Sequence, residues 1–232
     1  MNRRALIFAA GMGERMRPLT LHMPKPLLEV GGKPLIVWHI EKLAALGIRD
    51  IVINTAWLAA RFPEVLGDGS RWNVRLHYSY EGEVPLETGG GMLRALPLLG
   101  DAPFIAVNGD IWTDYDFALL PQVPTARVHA LLIPLPAFRK AGEFEQLASA
   151  LLPDQHIGQC TFSGIAVYRP EFIEQRTPGR FSLLPDLIDC ARRALMTVEL
   201  LQGRWHDIGT PERLTELDTQ LQRHDTDRRR GS

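Results

Sequence analysis

The sequence predicts an open α/β sheet with helices on both faces, and two observations support this fold class. Strand-like apolar runs alternate with helix-like segments through the first half of the chain, and short connections join them. Repeated strand, helix, strand units imply right-handed crossovers, which place neighbouring strands parallel to one another. We therefore expect a mostly parallel sheet that is covered by helices on each side.

The predicted elements follow in order along the chain. One helix has Pro34 in its first turn and Gly47 at its C-terminal stop, another runs from about Gly91 to Leu99, and a weaker one lies between Trp57 and Leu66. The stretch between Pro134 and Thr161 has little periodicity, so it is left open as a hairpin or an irregular loop. The strand-like segments of the first half read RALIFAA, DIVINT, VRLHYSY, PFIAVNGD and RVHALLIPL.

The second half resumes the regular pattern. The pattern predicts two strands, GIAVY and MTVELL, on either side of the helix LPDLIDCARRA. A last helix begins with Thr210 as its N-cap and Pro211 as its first residue. The closing RHDTDRRRGS is a charged tail. We therefore predict a single domain over residues 1–222, and a disordered tail over residues 223–232.

Composition excludes several function classes. The 232 residues are 45% hydrophobic, and 26 basic residues against 27 acidic ones give a formal net charge of -1. Such a balance provides no overall field that would attract nucleic acid or a membrane surface. The first apolar run is too short for a signal peptide, and two cysteines without paired spacing fit a reducing cytoplasm. The sequence gives no indication of the oligomeric state.

The loop AAGMGER follows the first strand and suggests an anion site. Met16 occupies the third glycine position of the dinucleotide-binding fingerprint G-x-G-x-x-G, which disfavours that motif. A Walker loop is absent from the sequence as well, because no glycine is followed by Lys and then Ser or Thr. What remains is a turn in which Gly11 and Gly13 free backbone N–H groups, while Arg15 and Lys25 add positive charge. We expect a triphosphate there, although an ordinary glycine turn with solvated basic residues stays an alternative.

Two aspartates are candidate metal ligands. Asp110 of VNGDIWTDYD ends an apolar strand, where a carboxylate must face a cleft or be paired, and Asp207 lies in GRWHDIGTPERL. Carboxylates from two strand ends could share Mg²⁺, which takes few protein oxygens and keeps water and phosphate oxygens as its other ligands. The alternative is that either aspartate is only a cap or a turn residue.

The segment PLETGGGM opens a helix with three consecutive glycines. Each glycine weakens a helix by about 1 kcal/mol relative to alanine, so a reason outside the helix is expected. Close approach of a flat base or a ribose to bare backbone would supply that reason.

These stretches together resemble the sugar-phosphate nucleotidyltransferase family. The resemblance rests on AAGMGERMRPLTLHMPKPLLEVGGKPL, NGD, FSGIAVYRPEF and WHDIGTPERL, which in this order span nearly the whole chain. It implies a Rossmann-like fold of the nucleotide-diphospho-sugar transferase type, here without a C-terminal β-helix domain. The implied reaction moves a nucleoside monophosphate, UMP from UTP as the first expectation, onto a sugar 1-phosphate, N-acetylmuramate 1-phosphate as the first expectation.

The resemblance also implies a role for each matching residue. The catalytic group is Arg15, Lys25 and Asp110, and Mg²⁺ is the cofactor, bound by Asp110 and Asp207. The nucleotide-binding set is Ala9, Ala10, Gly11, Gly13, Glu81 and Gly89. Gly164 would line the sugar pocket, and Arg139 or Lys140 would stand in for a Glu-Lys pair that many members carry before the GI strand.

Other functions stay open at this point. Glucose, mannose or choline phosphate could replace the sugar, and dTTP, GTP or CTP could replace UTP. A nucleotide-sugar binding module without catalysis is a further alternative, and so is an NAD-linked oxidoreductase, which Met16 opposes. Because a phosphate monoester is itself a competent nucleophile, the expected chemistry needs no Ser-His-Asp or Cys-His arrangement.

Overall fold

The computed structural model describes residues 3–137, 140–152 and 158–230, with side chains as far as residue 223. Its centre is a seven-stranded sheet with the strand order β10-β8-β9-β6-β1-β4-β5, beside which lie two small two-stranded ribbons. The strands are β1 Ala5–Phe8, β2 Glu29–Val30, β3 Lys33–Pro34, β4 Asp50–Thr55, β5 Arg75–Tyr80, β6 Phe104–Asn108, β7 Ile111–Thr113, β8 Val128–Pro134, β9 Cys160–Tyr168, β10 Met196–Leu200 and β11 Trp205–Asp207.

The pairing of these strands confirms the predicted fold class. β1 runs parallel to β4 and β6, β4 runs parallel to β5, and β8 runs parallel to β10. Only β9 is antiparallel to its neighbours β6 and β8 among the seven strands that the sheet comprises in the described ranges. The α-helices are α1 Leu35–Ala45, α2 Arg61–Leu66, α3 Glu87–Leu99, α4 Glu143–Ala150, α5 Leu184–Arg192 and α6 Pro211–Arg230.

Helices cover both faces of the sheet because alternate strand residues are apolar on each side. In β1, Ile7 joins one core cluster together with Ile40 of α1 and Phe62 of α2. Leu6 faces the other way and joins a second cluster with Met92 of α3, in which α4 and α5 also take part. Strands buried on both faces read as continuous apolar runs, which is why β1 and β4 could be recognised in the sequence.

A third, smaller cluster ties the C-terminal helix to the N-terminal loops. Leu217 of α6 packs with Met16, with Val30 of the β2–β3 ribbon, and with Ile208, which directly follows β11. The backbone N–H of Gly31 donates to Asp218 Oδ1 at 2.8 Å. Through these contacts α6 holds the two segments that carry Arg15 and Asp207 against each other.

The structure differs from the sequence expectations at two elements. Helix α4 occupies the stretch for which a hairpin or loop was expected; its apolar residues Phe144 and Ala148 lie four apart and are buried against the sheet. The backbone of α6 continues to Arg230, so the predicted boundary at residue 222 falls inside a helix. Within the ranges that the structure describes, no helix is both long enough and apolar enough to cross a membrane.

Candidate active site

Two adjoining cavities open at the carboxyl edge of the parallel strands, where ligands bind in open α/β sheets. The larger has a volume of about 830 Å³ and the smaller about 310 Å³. The two share part of their walls and therefore adjoin. The residues that line both cavities are Phe8, Arg15, Thr88, Asn108 and Asp110.

The glycine loop that follows β1 forms one wall of the larger cavity. Ala9, Ala10, Gly11, Gly13 and Arg15 all line this cavity, as the sequence predicts for a nucleotide loop. Gly13 has a φ of 63°, a left-handed conformation that favours glycine.

Two contacts hold this loop in place. The Thr20 hydroxyl donates to the Gly13 carbonyl at 2.8 Å. Met16 is buried in the cluster beneath α6. The loop is therefore fixed by the tertiary structure before any ligand arrives.

Lys25 and Asp110 form an ion pair where the two cavities meet. Lys25 Nζ lies 2.9 Å from Asp110 Oδ2, and Lys25 is only 7% exposed although it carries a charge. Asp110 lies in the turn between β6 and β7, and Lys25 lies in a short helical turn before β2. A carboxylate at the end of a buried strand is expected to face a cleft or to be paired, and Asp110 does both.

Asp207 lies next to Asp110 across a second strand pair. β11 runs antiparallel to β7 with Asp207 opposite Ile111, and the N–H of Ile208 donates to the Asp110 carbonyl at 3.0 Å. Asp207 lines the smaller cavity, which Asp110 also lines. Arg213 of α6 holds the Asp207 carboxylate through an Nη1 to Oδ2 contact of 3.0 Å. Two aspartates that are 97 positions apart in the sequence thus share one cavity.

Both carboxylates fit a hard cation. Among the described residues, no three or more of His, Cys, Asp and Glu gather into a group that could hold a metal. A metal here would therefore have Asp110 and Asp207 as its protein ligands, with phosphate and water oxygens as the others, a coordination that is typical of Mg²⁺. Lys25 and Arg213 already neutralise one oxygen of each carboxylate.

The three glycines of α3 make their close contacts with the protein's own chain. A Cβ built on Gly90 would lie 2.1 Å from the Gly179 carbonyl oxygen, and one on Gly89 would lie 2.4 Å from the Phe181 ring. The N–H groups of both glycines donate to the Phe181 carbonyl, at 2.9 and 3.1 Å. Gly89 lines neither cavity, whereas its neighbour Thr88 lines both. The close neighbour of Gly89 and Gly90 is thus the segment 179–181 of the protein itself.

Glu81 is also placed away from the ligand cavities. Its carboxylate is buried, lines neither cavity, and accepts hydrogen bonds from Asn54 Nδ2 at 2.6 Å and from the Leu86 N–H at 2.7 Å. Burial raises the pKa of this carboxyl above its usual range, and the two hydrogen bonds oppose that rise. The side chain that lines the larger cavity at this place is Asn54.

The smaller cavity receives part of the expected sugar-binding set. Gly164 of β9 lines it with a φ of 86°, and a Cβ there would lie 2.8 Å from Asn108 Nδ2. Lys140 is exposed and lines neither cavity, while Arg139 lies outside the described residues. A carboxylate comes instead from Glu145 of α4, which accepts a hydrogen bond from the Thr161 hydroxyl at 2.9 Å.

With this geometry in place, the chain can be compared with known proteins. A family model described as nucleotidyl transferase matches residues 4–131, which include the glycine loop, Lys25 and Asp110. The chain belongs to this nucleotidyl transferase family.

Several curated proteins are similar over most of the chain. An N-acetylmuramate alpha-1-phosphate uridylyltransferase of Neisseria meningitidis serogroup B is 43% identical, and the match covers 92% of this chain and 96% of that protein. A second N-acetylmuramate alpha-1-phosphate uridylyltransferase, from Caulobacter vibrioides, is 30% identical, and the match covers 94% of this chain and 96% of that protein. A mannose-1-phosphate guanyltransferase of Yarrowia lipolytica is 31% identical over 90% of this chain, which spans only 61% of that longer protein.

A solved structure supports the fold. A Bacillus anthracis protein assigned as a glucose-1-phosphate thymidylyltransferase superposes with a TM-score of 0.76 over 94% of this chain and 95% of that chain. The two sequences are only 20% identical, so the likeness extends to the fold and no further.

Several residues of this nucleotidyl transferase site escaped the sequence analysis. Asn54 is the last residue but one of β4, Asn108 is the last residue of β6, and Thr88 is the second residue of α3. Their position near strand and helix ends is the signal that could have found them. Arg213 carries no such signal, because its contact with Asp207 depends on how α6 begins after β11.

Proposed function

We propose that this nucleotidyl transferase joins UMP from UTP to N-acetylmuramate α-1-phosphate, giving the UDP-sugar and pyrophosphate. The observation that carries the proposal is the pair of adjoining cavities that share Arg15 and Asp110, since the reaction brings two phosphate-bearing substrates into contact. Similarity over almost the full length to two proteins with this named activity supports the choice of sugar and base. The reaction would belong to peptidoglycan recycling in the cytoplasm.

The chemistry asked of the protein is positional and electrostatic. An oxygen of the sugar phosphate forms a bond to the α-phosphorus of UTP while the bond to the pyrophosphate oxygen breaks on the opposite side. Lys25, Arg15 and the N–H groups of the glycine loop would offset the repulsion between the two polyanions. Buried Lys25 acts from a fixed position, because Asp110 orients its ammonium group.

Asp110 and Asp207 would hold Mg²⁺, which would supply further charge neutralisation on the phosphates. We predict that Asp207→Asn weakens Mn²⁺ binding, used as a spectroscopic substitute for Mg²⁺, about tenfold or more in electron paramagnetic resonance titrations. Asp101→Asn is the matched control, because Asp101 is exposed and lines neither cavity. Equal Mn²⁺ affinity in the wild type and Asp207→Asn would contradict the metal assignment.

A second candidate is transfer of another nucleotide to another sugar 1-phosphate. The similarity to a mannose-1-phosphate guanyltransferase favours GTP and mannose 1-phosphate within this group. A binding module without catalysis is disfavoured, because Arg15, Lys25, Asp110 and Asp207 converge on the same cavities.

The deciding experiment measures pyrophosphate release for a matrix of substrates. UTP, dTTP, GTP and CTP are each combined with the α-1-phosphates of N-acetylmuramate, N-acetylglucosamine, glucose and mannose, with Mg²⁺ present. Turnover confined to UTP with N-acetylmuramate 1-phosphate would support the proposal. Preference for another pair would reassign substrate and pathway, and no turnover in any combination would favour the binding-module alternative.

A further inference from the structure

A network of three short hydrogen bonds links the glycine loop to the segment that precedes α3. The Ala9 N–H donates to Asn54 Oδ1 at 2.6 Å, and Asn54 Nδ2 donates to Glu81 Oε1 at 2.6 Å. The other carboxylate oxygen, Glu81 Oε2, accepts the N–H of Leu86 at 2.7 Å. Each buried polar group in these three hydrogen bonds therefore has a partner, which is the condition under which such a network stabilises a single arrangement.

The carboxylate of Glu81 fixes the donor-to-acceptor direction of the whole hydrogen-bond network. An ionised carboxylate only accepts hydrogen bonds, so the side-chain amide of Asn54 must turn its NH₂ toward Glu81. Its carbonyl oxygen then faces the Ala9 N–H, which needs an acceptor. With a donor at position 81 instead, Asn54 would rotate and present its NH₂ to another N–H.

The pair is closely packed. Asn54 and Glu81 are 2% and 7% exposed. A Cβ on Gly91 would lie 2.3 Å from Glu81 Oε1 and 2.6 Å from Asn54 Nδ2. The third glycine of α3 is thus explained by the approach of these two side chains.

The two ends of this hydrogen-bond network belong to two segments that each line part of the larger cavity. Ala9 begins the glycine loop, and Leu86 follows Val84 and Pro85, which also line the cavity. We propose that Glu81 is a positioning residue that sets the distance between these two segments by orienting Asn54, and that it does not itself contact the nucleotide. As far as it concerns a nucleotide, this inference rests on the proposed function.

A swap of the two side-chain types tests this role. In Glu81→Gln, the carbonyl of the new amide still accepts from Leu86, but its NH₂ faces Asn54 and forces two donors together at Ala9. In Asn54→Asp, two carboxylates oppose each other. The double variant Asn54→Asp/Glu81→Gln restores every donor and acceptor pair, because the new carboxylate at position 54 would accept both from the Ala9 N–H and from the new amide at position 81.

Two readouts judge the variants. Amide hydrogen exchange at Ala9, measured without ligand, should speed up about tenfold in each single variant and return to the wild-type rate in the double variant. UTP affinity, measured by calorimetry without the sugar phosphate, should fall about tenfold in each single variant and recover in the double. Glu83→Gln, an exposed neighbour, should change neither quantity.

The outcomes separate this inference from the proposed function. A wild type that binds no nucleoside triphosphate would overturn the proposed function, while exchange at Ala9 would still decide the positioning role. Unchanged exchange and affinity in Glu81→Gln would overturn the inference. Affinity lost in Glu81→Gln and not recovered in the double variant would also overturn it, since direct contact of Glu81 with the nucleotide produces that pattern.

Discussion

At the scale of single residues, Lys25 shows that the charges of the site are held in fixed positions. Its ammonium group is almost buried and is held by Asp110, so its position is set before a substrate binds. Preorganised charge of this kind is worth more than mobile surface charge, because little reorganisation accompanies the reaction.

We expect Lys25→Met to lower kcat for pyrophosphate release by about 10²- to 10³-fold, because in the proposed reaction the variant would remove a fixed cation beside the phosphates. Lys33→Met is the matched control; Lys33 pairs with Glu41, lies 3.7 Å from the centre of the Trp38 ring, and lines neither cavity. Similar kcat values for the two variants would remove Lys25 from the catalytic group.

Asp50 provides a residue-scale prediction about stability and pH. Its buried carboxylate accepts two hydrogen bonds of 2.9 Å from Arg75 and makes a third contact of 2.9 Å with His77, and the Arg75 bonds lower the pKa of Asp50 most. Because the folded pKa of Asp50 lies below the unfolded value of about 4, this stabilisation is fully present above a pH of about 4 and is lost as the pH falls further, through the folded pKa.

We therefore predict that Asp50→Asn lowers the free energy of unfolding by about 1 to 3 kcal/mol at pH 7, and that the gap to the wild type narrows below pH of about 4. Urea unfolding at a series of pH values measures both quantities. The exposed Asp101→Asn serves as control. A gap that stays constant with pH would show that the Asp50 charge is not involved.

The residue scale also marks a limit of sequence reasoning. Asp110 and Lys25 could be predicted, because a charge at the end of a buried strand, or in a loop beside it, must face a cleft or a partner. The role of Glu81 could not, because it depends on Asn54 of the neighbouring strand, 27 positions away in the sequence.

Helix α3 makes the same contrast at the scale of elements. Its glycines are recognisable in the sequence as a departure from helix propensity, but what lies against Gly89 and Gly90 is the segment 179–181, which follows about 90 residues later. That segment is fixed by the Gly89 and Gly90 N–H groups and by the Leu183 N–H, which donates to the Thr88 hydroxyl at 3.0 Å. It also carries Arg180, which lines the larger cavity.

Gly90→Ala distinguishes helix propensity from tertiary packing by its sign. Propensity alone predicts a gain of about 1 kcal/mol in the free energy of unfolding. We expect a loss of about 1 to 3 kcal/mol, because the methyl group meets the Gly179 carbonyl. Thermal unfolding measures the change, with Gly11→Ala as control, since a Cβ on Gly11 meets nothing within 4 Å. A more stable Gly90→Ala would contradict the packing account.

Across the whole molecule, α6 connects the end of the chain to its beginning. Leu217 is 1% exposed and contacts the cluster that contains Met16 and Ile208, which neighbour Arg15 and Asp207 in the sequence. A defect in this cluster should therefore reach the site as well as the stability.

We predict that Leu217→Ala lowers the free energy of unfolding by about 2 to 5 kcal/mol and also raises the KM for the nucleotide. Gln220→Ala, on the exposed side of α6, should change neither quantity. Denaturant unfolding and steady-state kinetics provide the two measurements. A loss of stability with an unchanged KM would show that α6 supports the fold without positioning the site.

The sequence by itself determined the parallel sheet, the strand ends at which ligands bind, and the places of Arg15, Lys25, Asp110 and Asp207. These follow from local patterns, because burial on both faces and charge at a strand end leave a mark within a few residues. Only the tertiary structure decided which segment packs against Gly89 and Gly90 of α3, which residue holds Asp207, and where Glu81 points. Each of these is a contact between elements far apart in sequence, and such a contact leaves no periodicity in either partner.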